Sequence, residues 1–268
     1  MKNHRTSFIS RHSLEKMVSF SYSDTESTLD SLAKRLTSNS YIVFLTGAGV
    51  SAESGVPTFR SVDGFWEKFK PEELAHFNSF IKNPALVQAW YQHRVEIVNN
   101  VKPNKGHMAM ASMESKVATC VVITQNVDNL HQRAGSREVI ELHGNILRNY
   151  CIDCGMQFNG GLCIENGETT LCKCGGLVRP DVVWFGEMLP ANSFRMAEKH
   201  ARKCDLFISV GTSGVVYPAA GLPGLAKSSG AFLVEINTEV TDLSSLMDVT
   251  FQGKSGEILP RLMSLLKS

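Results

Sequence analysis

Apolar residues fall along the chain either in short unbroken runs or at helical spacing, and most of the runs end in small or polar residues. Leu29, Leu32, Ala33 and Leu36 repeat at i, i+3, i+4 and i+7, which predicts a helix capped by Asp24 or Thr25. The run from Tyr41 to Thr46 reads as a buried parallel strand, with that helix covering the sheet beside it. Pro84 starts a helix that carries Trp90, Tyr91, Arg94, Ile97 and Val98 and ends before Pro103; Asn104 caps another through Lys116. Further buried strands are expected at Cys120 to Ile123, Val139 to Leu142, Asp205 to Val210 and Ala231 to Ile236. Arg179 to Glu187 reads as a short apolar strand stopped by glycine, and a helix runs from Pro190 to Lys203. The last helix sets Ile258, Leu259, Leu262, Leu265 and Leu266 on one face and closes the domain. Alternating strands and helices predict an α/β, Rossmann-like doubly wound parallel sheet over residues 25–70, 117–144 and 181–268. A helical segment at 71–116 and a cysteine-bearing module at 145–180 form a smaller lobe within one domain, 25–268.

Composition narrows the class. The chain has 268 residues, 43% of them hydrophobic, but no apolar run approaches the roughly 20 residues that span a bilayer, which argues against a membrane protein. A net charge of +1 advertises no broad nucleic-acid-binding face, although a local patch stays open. Residues 1–24 are expected to be a disordered polar tail. The tail carries Lys2, Arg5, Arg11 and Lys16 against the acid Glu15 in its first twenty positions, so the expected location is cytoplasmic, or mitochondrial if this segment is a transit peptide.

Three stretches carry candidate chemistry. Gly47-Ala48-Gly49 directly follows an apolar strand, the arrangement of a phosphate-binding turn for a dinucleotide. A dehydrogenase fingerprint needs a longer helix after its glycines, and Gly55 and Pro57 break any helix here; Glu67, near the spacing of a ribose-binding acid, does not sit at a strand end. Gly-x-Gly-x-x-Ala alone leaves a ligand-free turn equally open. The second stretch is Cys151-x-x-Cys154, seventeen residues, then Cys172-x-Cys174, which suits one tetrahedral Zn²⁺ with a closed, structural shell. Cys163 lies between the pairs as a substitute ligand, while Cys120 and Cys204 border apolar strands and read as core. In the third, Tyr91 and Arg94 share a helix face, where they converge on one anion or the arginine packs on an aromatic ring.

The full string Gly47-Ala48-Gly49-Val50-Ser51-Ala52-Glu53-Ser54-Gly55-Val56-Pro57-Thr58-Phe59-Arg60 resembles the signature of the sirtuins, NAD-dependent protein-lysine deacylases, at every fixed position. The likeness covers about residues 41–260, with the motifs in order. It implies that Gly47, Ala48, Gly49, Ser51, Glu53 and Thr58 belong to the NAD site, and that Phe59 and Arg60 lie on a mobile loop over the nicotinamide ribose, with Trp66 beyond it. Gln125, Asn126 and Asp128 would hold the nicotinamide end and its ribose. Gly211, Thr212, Ser213, Asn237, Thr238, Glu239 and Ser255 would take the adenosine. His143, in Glu141-Leu142-His143-Gly144, is implied as the general base and Asn126 as the residue that positions the ribose and water. Tyr91-x-x-Arg94 resembles the class III, desuccinylase-like group, in which this pair binds the carboxylate of an acidic acyl chain and a small residue, here Ala75, enlarges the pocket. Val183, Phe185, Gly186 and Glu187 would pair backbone-to-backbone with the substrate peptide.

The implied reaction turns an acyl-lysine peptide and NAD into free lysine, nicotinamide and O-acyl-ADP-ribose, with succinyl, malonyl or glutaryl chains preferred and acetyl a weak substrate. A protein that is mainly a deacetylase, or a mono-ADP-ribosyltransferase on the same scaffold, stays open as the alternative. A hydride-transferring oxidoreductase is disfavoured by the broken helix, and a zinc-bearing nucleic-acid binder by the neutral charge. The chain is expected to act as a monomer with no stable nucleic-acid partner.

Overall fold

The computed structural model describes residues 22–58, 71–158, 161–162 and 167–266. The N-terminal residues through 21, Phe59, Arg60, Trp66, Glu67 and Cys163 lie outside them. In chain order the elements are α1 (Tyr22–Arg35), β1 (Tyr41–Thr46), α2 (Ala48–Ala52), α3 (Pro71–Leu74), α4 (Phe77–Lys82), α5 (Pro84–Asn100), α6 (Lys105–Met113), β2 (Thr119–Thr124), α7 (Leu130–Arg133) and β3 (Val139–Glu141). There follow β4 (Gly144–Cys151), β5 (Gln157–Phe158), β6 (Val178–Val182), α8 (Ala191–Ala201), β7 (Leu206–Val210), α9 (Leu222–Ser228), β8 (Phe232–Asn237), β9 (Val249–Gln252) and α10 (Ser255–Leu265).

Six strands form a parallel sheet in the order β3-β2-β1-β7-β8-β9. The unbroken apolar run of β1 follows from covering both faces. Ile42 and Phe44 pack with Leu29, Met110 and Leu262 from α1, α6 and α10. Val43 and Leu45 face the other way, toward Ala197, Leu222 and Ala226 of α8 and α9. Each such fully buried aliphatic or aromatic side chain contributes roughly 1.5–3 kcal/mol of transfer free energy. Strand order reverses across β1 and β7, so the crossovers that follow them pack on opposite faces of the sheet, α6 on one and α9 on the other, and the switch point at their C-terminal ends is where a ligand crevice is expected.

A second sheet, β5-β4-β6, is antiparallel and carries the cysteines. It leaves the large sheet at Gly144, whose φ is +80° and where a Cβ would come within 2.1 Å of the Asp181 carbonyl oxygen, so only glycine makes this junction. The fully buried Gln88 of α5 fastens the module, giving its amide to the Val178 and Thr170 carbonyls and accepting the Thr170 N–H. Leu74, Phe80, Val87, Trp90, Ile146 and Trp184 form the core of this lobe.

Several element boundaries differ from the sequence reading, most of them by one or two residues. Helix α1 begins at Tyr22, ahead of both expected caps. Helix α6 stops at Met113 because the Glu114 and Lys116 N–H groups close tighter turns onto Ala111 and Met113, and its Ala109, Met110 and Met113 join the core of the large sheet. The strand expected from Arg179 to Glu187 ends at Val182; beyond it Val183 N–H bonds the His143 carbonyl and Phe185 N–H bonds the Ala75 carbonyl.

Candidate active site at the sheet edge

The glycine turn after β1 lies against the turn after β7. Gly49 N–H donates to the Gly211 carbonyl at 2.8 Å. A Cβ at Gly47 would meet the Thr212 Cβ at 2.7 Å, and one at Gly49 would meet the Gly211 Cα at 2.8 Å, so the two loops abut as bare backbone. Helix α2 ends at Ala52, where Gly55 turns with φ +92° and Val56 N–H returns to the Ser51 carbonyl. Gln125 donates to Thr212 Oγ1 at 2.9 Å and Asn237 to the Thr212 carbonyl at 2.9 Å, tying the loops after β2, β7 and β8 together.

A polar cluster sits beside this turn. Asn126 Nδ2 donates to the Gly47 carbonyl and to Ser51 Oγ, both at 3.0 Å, and Ser51 Oγ–H donates to Asp128 Oδ2 at 2.5 Å. The other Asp128 oxygen accepts Leu130 N–H. Burial raises the Asp128 pKa, and those two hydrogen bonds with the Arg133 and Arg94 charges oppose the rise. His143 Nδ1 lies 2.9 Å from the Gln125 carbonyl, which only accepts, so Nδ1 carries the proton and Nε2 keeps its lone pair. Burial lowers the His143 pKa, and the bond to Gln125 opposes this.

The rival histidines lie behind the sheet edge. His131 Nε2 is 2.9 Å from Thr46 Oγ1, which donates to Thr124 Oγ1, which in turn accepts Asn126 N–H. His107 packs on His131 with ring centroids 4.8 Å apart, and burial pushes their pKa values down to about 4 and about 3. Neither lines the crevice.

The crevice is a cavity of about 1610 Å³. Gly47, Ala48, Gly49, Ser51, Thr58, Gln125, Asn126, Asp128, His143, Gly211, Thr212, Ser213, Asn237, Thr238 and Glu239 all line it. So do Ala75, Tyr91, Arg94, Val183, Phe185, Gly186 and Glu187. Tyr91 is buried and its hydroxyl accepts the Trp184 indole N–H at 2.7 Å. Burial drives the Tyr91 pKa well up, so the phenol stays protonated. The Arg94 guanidinium stands 5.1 Å from the Trp90 ring centroid; burial lowers its pKa, with Tyr91 and Asp128 opposing.

Two residues expected at the cofactor, Glu53 and Ser255, are hydrogen-bonded to each other. Glu53 accepts Ser255 N–H, Ser255 Oγ–H and Gly256 N–H, so it caps α10, and neither Glu53 nor Ser255 lines the cavity. A lone glutamate beside a glycine turn gives no sequence sign of a helix start two hundred residues away. The Glu187 side chain, expected at the peptide, is held by Arg179 at 2.6 and 2.9 Å and by Trp184 N–H at 2.8 Å. The sequence reading also passed over Met188, Val216 and Tyr217 at the cavity wall, all exposed apolar side chains. For Val216 and Tyr217 the signal is an apolar run, Val215-Val216-Tyr217, inside a Gly- and Pro-bounded loop.

The four cysteines meet in one cluster, every Sγ within 4.8 Å of the others. Cys151 and Cys174 are 3.5 Å apart and Cys154 and Cys172 3.8 Å, close to the roughly 3.8 Å edge of a tetrahedron with Zn–S of about 2.3 Å. This donor set fits Zn²⁺ and leaves no open position. Cys120 and Cys204 are buried elsewhere, each against a backbone carbonyl.

Residues 47–218 match the Sir2 family. The chain is 51% identical over 236 residues to NAD-dependent protein deacylase 2 of Pyrobaculum aerophilum, covering 88% of this chain and 95% of that one. It is 48% identical over 230 residues to the NAD-dependent protein deacylase of Aquifex aeolicus, covering 85% and 96%. The fold is similar to that of a Sir2 homologue solved as an NAD complex, with TM-score 0.82 and 44% identity over 90% of this chain and 93% of that one. It is also similar to a Sir2 protein bound to acetylated peptide, with TM-score 0.76 and 35% identity over 83% and 92%.

Proposed function

The chain belongs to the Sir2 family and is an NAD-dependent protein deacylase, and on that premise we propose that its preferred substrates are lysines carrying succinyl, malonyl or glutaryl groups. The observation that carries the preference is Tyr91 and Arg94, one helical turn apart on α5, lining the same cavity as His143 and Ala75. A protonated phenol and a guanidinium supply two donors to one carboxylate, and charge-assisted hydrogen bonds of this kind are worth about 1.5–3 kcal/mol. Ala75, a small residue, lines the same cavity and takes up less of it than a larger side chain would.

The remaining residues divide by where they stand. The abutting turns at Gly47–Gly49 and Gly211–Thr212 admit close approach of a pyrophosphate to backbone N–H groups. Thr212, Ser213, Asn237, Thr238 and Glu239 form the wall for the adenosine, and Gln125, Asn126, Ser51 and Asp128 the wall for the nicotinamide ribose. NAD supplies the acceptor for the acyl group on its ADP-ribose and releases nicotinamide. His143 Nε2 takes the proton of a ribose hydroxyl, while the Gln125 carbonyl holds the ring in that tautomer. Asn126, fixed by Gly47 and Ser51, orients the ribose and water. Val183, Phe185 and Gly186 present main chain to the peptide, which gives tolerance of flanking sequence. Cys151, Cys154, Cys172 and Cys174 would hold a Zn²⁺, which would tie the end of β4 to the segment that leads into β6.

A panel of acyl-lysine peptides incubated with NAD and read by mass spectrometry tests this reading. Faster release of lysine peptide and acyl-ADP-ribose from succinyl, malonyl or glutaryl substrates than from acetyl supports it; a faster acetyl reaction overturns the preference.

A further inference from the structure

We propose that Trp184 is a positioning residue for acyl-chain selectivity, its indole N–H fixing the Tyr91 hydroxyl so that the phenolic proton faces the carboxylate of the acyl chain. The inference rests on the acidic-acyl reading above and names the residue that makes Tyr91 a donor there.

The direction of the Trp184–Tyr91 hydrogen bond is not ambiguous. Indole Nε1–H is donor-only, so the Tyr91 oxygen, 2.7 Å away, must accept. The phenol keeps its own O–H to donate. A buried O–H seeks an acceptor, and the aromatic neighbours of Tyr91, Trp90 with centroid 4.7 Å away and Trp184 itself, offer only ring faces and edges. The cavity that Tyr91 lines with Arg94 is where an acceptor can enter. Accepting one hydrogen bond also polarises the O–H and strengthens the one it donates.

Trp184 is itself held on several sides. It is 2% exposed; the Arg179 guanidinium lies 3.4 Å from its ring centroid and Phe80 packs at 5.2 Å. Arg179 is fixed by both Glu187 oxygens and by the Val182 carbonyl, and Glu187 also accepts the Trp184 backbone N–H. The next residue, Phe185, donates its N–H to the Ala75 carbonyl at 3.0 Å. One short segment thus anchors both Ala75 and Tyr91. The Arg179–Glu187 ion pair thus holds the Trp184 ring in place.

The test uses the full-length zinc-loaded enzyme and compares succinyl-lysine with acetyl-lysine peptides in wild type, Trp184→Phe, Tyr91→Phe and the double variant. Phe keeps a ring between Arg179 and Phe80 but removes the N–H. The expected result is a fall of about tenfold in kcat/KM for the succinyl peptide, carried by KM, with the acetyl peptide within about twofold. The double variant should lose no more than Tyr91→Phe alone, because Trp184 acts through Tyr91. Replacing Trp184 by benzothienylalanine, which exchanges N–H for sulfur at constant shape, should reproduce the selectivity loss even if Trp184→Phe folds poorly. Equal losses on both peptides, or losses that add to those of Tyr91→Phe, overturn the proposal. A wild-type enzyme that prefers acetyl overturns the acidic-acyl reading and this proposal with it, whereas a wild-type succinyl preference that Tyr91→Phe lowers and the Trp184 variants leave unchanged overturns this proposal alone.

Discussion

His143 Nδ1 donates to the Gln125 carbonyl at 2.9 Å, and this one bond joins the histidine after β3 to the polar loop after β2. It fixes the tautomer that leaves Nε2 basic. Burial lowers the His143 pKa below its ordinary value of about 6.5. A base must be neutral to act, so the acid limb of kcat/KM against pH should lie below 6.5, with activity held through neutrality. His143→Ala should cut turnover by about 10²–10⁴-fold while NAD binding, followed by calorimetry, changes little. Near-normal turnover in that variant would remove His143 from the mechanism.

The buried pair His107 and His131 should make the protein acid-sensitive. Their folded pKa values, about 4 and about 3, lie below the unfolded value of 6.5, so between those limits the unfolded chain binds more protons. Stability is then fully present above pH 6.5 and falls as pH drops toward 4 and then 3, by roughly 1.4 kcal/mol per unit for each histidine. Urea midpoints at pH 7.5 and pH 5 measure the slope. His107→Gln should flatten it, and a variant with the wild-type slope would show that this histidine does not set it.

Glu53 offers a separation of stability from binding. Because its carboxylate caps α10, Glu53→Gln should cost about 1 kcal/mol in denaturant unfolding and leave the KM for NAD within about twofold. A large rise in that KM with unchanged stability would return Glu53 to the cofactor.

Metal analysis should find one Zn²⁺ per chain. Cys172→Ser, or chelation, should release it and lower the melting temperature, and activity should fall on every acyl chain alike, since β4 departs directly from His143 and β6 leads directly to Val183. Selective loss on one acyl chain would argue that the metal module acts on specificity.

Much of this architecture is legible because it is local. β1 reads as a strand because both its faces are buried, and the helix break at Gly55 and Pro57 is visible one residue at a time. The clustering of Cys151, Cys154, Cys172 and Cys174 follows from spacing alone. What sequence conceals are pairings between distant residues, Glu53 with Ser255 and Trp184 with Tyr91. Each couples groups whose polar atoms have several possible partners, and only the packing of β6 against α5 and of the β1 loop against α10 selects one. The choice of His143 over His107 and His131 rests on motif context in the sequence and on cavity lining in the structure, because periodicity treats all three alike.

In the proposed function, Tyr91 and Arg94 select an acidic acyl chain for NAD-dependent removal. The most direct measurement is the ratio of kcat/KM for a succinyl-lysine peptide to that for its acetyl-lysine twin, in wild type and in Arg94→Met. A wild-type ratio above one that falls by about 10–100-fold in Arg94→Met, through loss of the succinyl reaction alone, is the predicted result. A wild-type ratio below one, or a ratio that Arg94→Met leaves unchanged, would contradict it.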